Sequence, residues 1–123
     1  HFLPIPMSFP VKTSKGTQDI GGVPCEVFVS SYADRVLILV SKTGKPGTLI
    51  HATRDRGVSG KSSISCRVLL GKRDDFSIVV ARKVAELVGQ TSGKPVLVGL
   101  SLPPEGTDVF KGVLAAVAQH KVW

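Results

Sequence analysis

The chain is poor in acidic, aromatic and sulfur-bearing residues, and it contains no long apolar run. Nine Asp/Glu face sixteen Lys/Arg, aromatics make up 6%, and there are two cysteines and one methionine among 123 residues. With no stretch near the ~20 apolar residues that cross a bilayer, no membrane-spanning helix is predicted. Two cysteines cannot build a disulfide framework, and Cys25 and Cys66 both fall in predicted strands, where a small buried thiol is the ordinary outcome. Structural zinc needs four ligands at short spacing; these cysteines and the scattered His1, His51 and His120 do not offer it, so no metal site is expected.

Catalytic motifs are missing as well. Gly57-Val-Ser-Gly-Lys-Ser62 has two residues where a phosphate-wrapping loop needs four, and a strand follows it instead of a helix. Gly89-Gln-Thr-Ser-Gly-Lys-Pro95 has three, and Pro stands where the metal-binding hydroxyl belongs. No Gly-x-Ser-x-Gly elbow occurs with a partner histidine. His51 alternates on a strand, His120 ends a helix, and the only adjacent acids, Asp74 and Asp75, suit the start of a helix. The residues offer no enzyme site and no cofactor site.

What the sequence does have is apolar strands and cations. Val36 to Val40 is an unbroken apolar run stopped by a Gly/Pro turn, which reads as a strand dry on both faces, because Val36, Ile38 and Val40 alternate with Leu37 and Leu39. Val96 to Leu102 has the same character. Phe9, Val11 and Thr13 alternate with Lys12 and Ser14 as an opening edge strand, and Gly16 to Gly22 reads as a turn. Val23, Cys25, Val27 and Val29 share one face of a second strand, which pairs with the 36–40 run as an antiparallel hairpin. Thr48 to Thr53 returns the chain, 54–63 is a polar mobile loop, and Ile64, Cys66, Val68 and Leu70 point inward from a fifth strand.

Two helices complete the pattern. After Asp74 or Asp75, Phe76, Val80, Val84, Leu87 and Val88 form an apolar stripe. From Thr107 or Asp108, Phe110, Val113, Leu114, Val117 and Ala118 form another, and Trp123 docks at the end of the chain. The predicted fold is α+β in the order βββββαβα, a mainly antiparallel sheet of about six strands with two helices on one face. Residues 1–6 are expected to be a tag or disordered extension, with Met7 as the natural start of a single domain over 7–123. Two helices cannot cover both faces of strands that are apolar on both sides. The second face, with candidates Val36, Leu37, Ile38, Leu39, Val40, Val96, Val98 and Leu100, is therefore expected to form a dimer.

The formal charge of +7 is concentrated between Arg35 and Arg73, where nine basic residues accompany Asp55 alone. Such a field favours an acidic partner. One reading is a basic dimeric α+β module that binds RNA or another polyanion. Against it, no Phe, Tyr or Trp lies between Val36 and Asp75, although single-strand binders interleave aromatics with cations for base stacking.

Taken together, Gly22-Val-Pro24, Val36-Leu-Ile-Leu-Val40, Gly44-Lys-Pro-Gly-Thr-Leu49, Val68-Leu-Leu-Gly71, the helix at 75–88 and Val122-Trp123 resemble the proteasome assembly chaperone 3 family. The likeness runs from about residue 9 to the end of the chain. The resemblance implies a non-enzymatic chaperone, homodimeric or paired with proteasome assembly chaperone 4. Such a dimer binds α-type subunits while the 20S α ring is built, and it acts in the cytoplasm and also in the nucleus. The end, Lys121-Val122-Trp123, lacks the hydrophobic-Tyr-any tail of the other ring-assembly pair, so tail insertion is not expected. Charge and loop character alone select Lys42, Lys45, Arg54, Arg56 and Lys61, in loops 42–47 and 54–63, as candidates for meeting acidic α-subunit surface.

Overall fold

A computed structural model describes residues 12–42, 47–56 and 62–123, without the side chains at 55, 56 and 62. The expected extension at 1–6, and Phe9 and Val11 of the opening strand, lie outside these residues. The elements follow the predicted order: β1 (Lys12–Ile20), β2 (Val23–Ser31), β3 (Val36–Ser41), β4 (Thr48–Arg56), β5 (Ser62–Leu70), α1 (Asp75–Gly89), β6 (Val96–Ser101) and α2 (Thr107–Gln119).

The six strands form one sheet in the order β1-β2-β3-β6-β4-β5. β1, β2 and β3 are an antiparallel meander, and β4 with β5 is an antiparallel pair. β6 lies between the two groups, parallel to β3 and antiparallel to β4. β4 thus returns antiparallel to β3 but is not its neighbour. The chain reaches the centre of the sheet last, by way of α1.

β1 runs on through the stretch expected to be a turn. The turn is only Gly21-Gly22, with φ of +60° and +83°. Paired positive φ values suit the two-residue hairpins that match strand twist, and glycine adopts them without a Cβ penalty. Ile20, 1% exposed, packs against Gly112 of α2 and anchors that end of β1.

Both helices lie on one face of the sheet, α1 over β4, β5 and β6 and α2 over β1 and β2. Alternation decides what they cover: Cys25, Val27 and Val29, then Val36, Ile38 and Val40, then Val96, Val98 and Leu100, then Ile50 and Ala52, all at most 2% exposed. Val80, Val84 and Val88 of α1 and Val113 and Val117 of α2 close this core from above. Burying a side chain of this kind is worth about 1.5–3 kcal/mol, so this single layer carries most of the drive to fold. Phe76 and Leu87, assigned by spacing to the stripe of α1, are half-buried, as are Phe110 and Leu114 of α2. They flank two openings between the helices.

Each helix begins as its sequence dictates. Asp74 caps α1: its Oδ1 accepts from the Phe76 amide at 3.2 Å and its Oδ2 from the Ser77 hydroxyl at 2.8 Å. α2 starts at Thr107 behind Gly106 and ends at His120. There the His120 Nδ1 lies 2.7 Å from the Ser14 hydroxyl of β1. Trp123 does dock, half-buried against the core cluster, with the Lys121 ammonium 5.9 Å from its ring centroid.

Candidate interaction faces

The face of the sheet away from the helices carries the alternate residues. Register places Phe28 beside Leu39, Leu39 beside Gly99, Gly99 beside Leu49 and Leu49 beside Leu70. A second row runs from Ser30 through Leu37, Leu97 and His51 to Arg67. Phe28, Leu37, Leu39, Leu49 and Leu97 are all half-buried, and among the described residues no element lies over them. They make an apolar band across four strands, bordered by the exposed Lys15, Glu26 and Arg67.

The helices divide the eight residues proposed from sequence for a dimer face. Val36, Ile38, Val40, Val96, Val98 and Leu100 lie under α1 and α2, at most 2% exposed. No partner can reach them without removing a helix, so they leave the set. Leu37 and Leu39 lie on the open face, together with Phe28, Leu49 and Leu97. Sequence alternation separates the two faces of each strand; only the placement of the helices says which face is open.

Leu70 is a second correction. Expected inward with Ile64, Cys66 and Val68, it is 69% exposed, and its neighbour Leu69 is 49% exposed. Leu49 pairs with Leu70 while Ile50 pairs with Val68, so Leu69 is an extra residue. A bulge of this kind reverses which way the following side chain points.

The basic candidates are not brought together. Lys42, exposed, follows β3 at one end of the sheet. Arg54 lies near the far end of β4, in a strand and not in the predicted loop. Nine residues of β4 at about 3.3 Å each separate the two loops by roughly 30 Å. Lys45, Lys61 and the Arg56 side chain lie outside the described residues. The Arg54 guanidinium rests on Gly89 in the last turn of α1, where any Cβ would collide with it. That turn has no basic residue of its own, so Arg54 brings positive charge to the carbonyl end of the helix. A cleft of about 450 Å³ opens beside it, lined by Arg82, Glu86 and Ser63 among others.

Two thiols complete the inventory. Burial pushes the Cys25 thiol upward, reinforced by Asp19 and opposed by Lys42. Burial likewise raises Cys66, partly offset by the charge and hydrogen bond of Arg82. Neither is activated. Among the described residues no group of three metal-ligating side chains converges, and no helix is long and apolar enough to cross a membrane.

These faces belong to a known lineage. The family model described as proteasome assembly chaperone 3 matches residues 38–120. The chain belongs to the proteasome assembly chaperone 3 family. It is 30% identical over 118 residues to proteasome assembly chaperone 3 of Bos taurus, covering 93% of this chain and 97% of that one. It is 32% identical over 107 residues to that of Nematostella vectensis, 77% and 78% of the two chains, and 25% identical over 116 residues to that of Homo sapiens, 92% and 95%. Its fold matches a chain of a novel chaperone complex for yeast 20S proteasome assembly, with a TM-score of 0.67 at 15% identity, over 89% of this chain and 98% of that one.

Proposed function

We propose that the protein is a proteasome assembly chaperone that acts as a dimer, without catalysis, by holding α-type subunits while the 20S α ring forms. The observation that carries this reading is the band of Phe28, Leu37, Leu39, Leu49 and Leu97 on the open face of a rigid sheet. A contiguous apolar surface of this kind marks an interface, and sheets pack well face to face at about 10 Å. The companion sheet is proteasome assembly chaperone 4 or a second copy. Two copies of a chain with a formal charge of +7 repel each other, which favours the unlike partner. Work of this kind is done in the cytoplasm and nucleus, where proteasomes are built.

Sedimentation velocity at micromolar concentration, alone and with proteasome assembly chaperone 4, tests the reading together with capture of α-type subunits by the resulting complex. The expected result is a dimer that retains α subunits after nuclease treatment. A stable monomer under both conditions, or capture that vanishes with nuclease, would refute it.

A further inference from the structure

We propose that the end of β5 formed by Leu70, Lys72 and Arg73 grips an acidic segment carrying an apolar side chain on an α-type proteasome subunit, an inference that rests on the function proposed above.

Four contacts tie the strand ends into one rim. The Lys42 amide donates to the Ser101 carbonyl at 2.9 Å, and the Gly47 amide to the Leu100 carbonyl at 3.0 Å. The Thr48 hydroxyl donates to the Lys72 carbonyl at 3.1 Å. Gly71, with φ of +91°, lies so close to the Gly47 carbonyl and Thr48 that no Cβ would fit. The ends of β3, β6, β4 and β5 therefore follow one another along the rim. At about 4.8 Å per strand, Lys42 and Lys72 stand roughly 14 Å apart.

The bulge at Leu69 and the turn at Gly71 fix what this rim presents. Leu70 is 69% exposed on a backbone that cannot easily fold it away, and Lys72 and Arg73 emerge beside it, both exposed. Of the nearest acids in sequence, Asp74 caps α1 and Asp75 stands in its first turn. No carboxylate of the described residues pairs with Lys42, Lys72 or Arg73. An exposed apolar side chain followed by two cations with no carboxylate partner among the described residues fits an acidic stretch with one apolar residue. The charges set selection and encounter rate, and the leucine contact slows release. Nucleic acid fits less well: the centre of the site is aliphatic, and no aromatic lies between Ser62 and Asp75.

The test uses the full chain with its dimer partner, immobilised and titrated with recombinant α-type subunits after nuclease treatment, at about 50 and 300 mM salt. Lys72→Glu/Arg73→Glu is expected to weaken capture about tenfold while sedimenting as a dimer, and Leu70→Ser, which lies at the β5 end of the open-face row, is compared only as dimer isolated by sedimentation and loses capture about tenfold. Lys72→Gln/Arg73→Gln gives a smaller loss, and higher salt weakens wild-type capture more than that of the charge-reversed pair. Arg54→Glu leaves capture intact and lowers the melting temperature. If wild type binds and the rim variants bind equally well, this inference falls while the proposed function stands. If wild type captures no α subunit at any salt, both fall. If it instead retains nucleic acid in an untreated lysate, the rim's partner is a polyanion and the inference is overturned.

Discussion

Asp74 holds the head of α1 through two bonds, one to a backbone amide and one to the Ser77 hydroxyl. Asp74→Ala should therefore cost about 0.5–2 kcal/mol, read as a fall of several degrees in the thermal melt, while Asp74→Asn keeps most of that stability. The two thiols give a pH signature. Their raised folded values mean that the native state keeps protons which the unfolded chain releases, so stability is full below the ordinary thiol range and declines as pH rises through and beyond it. Thermal melts in the mildly alkaline range should show this slope, and Cys25→Ala/Cys66→Ala should flatten it. At this scale the sequence was only partly legible. Aspartate before an apolar stripe announces a cap, and the readings of Cys25 and Trp123 needed only their neighbours. Arg54 is different, because its seat on Gly89 joins positions 35 apart in the chain and no local pattern contains it.

Elements were easier to read than their orientation. Both helices, the β2-β3 hairpin and the apolar character of β3 and β6 follow from spacing, since period and length are local properties. Which face the helices choose is a tertiary matter, and it splits β3 into two kinds of residue. Ile38→Ala should destabilise the fold by about 2–5 kcal/mol, measured by denaturant melting. Leu39→Asp should leave the melt of the isolated chain close to wild type and abolish the dimer, measured by sedimentation. A Leu39→Asp protein that still dimerises would exclude the open face as the interface. The turn at Gly21-Gly22 is a Gly-Gly hairpin signal, masked by the glycine- and polar-rich stretch before it. The bulge at Leu69 had no such signal. Gly71 is its one trace: Gly71→Ala should cost more than about 1 kcal/mol in the same melts, because that backbone conformation excludes a Cβ.

For the whole molecule, fold class and element order were legible because they sum over many weak local signals, whereas the distribution of charge was not. The basic segment reads as a single block from Arg35 to Arg73, but folding sends Lys42, Lys72 and Arg73 to one end of the sheet and Arg54 to the other. If the proposed grip on an acidic segment holds, capture should be sensitive to charge at one end and indifferent at the other, which a salt titration of variants grouped by end will reveal. The topology also bears on how the chain is made. β1-β2-β3 and β4-β5 share no backbone ladder until β6 arrives between them. On a ribosome the first ninety or so residues emerge as two unconnected pieces, each with an unsatisfied edge, awaiting a keystone encoded near the end. Pulsed hydrogen exchange should find the β3–β6 and β6–β4 amides protected last. Until that moment, a protein whose task is to hold unfinished assemblies is itself one.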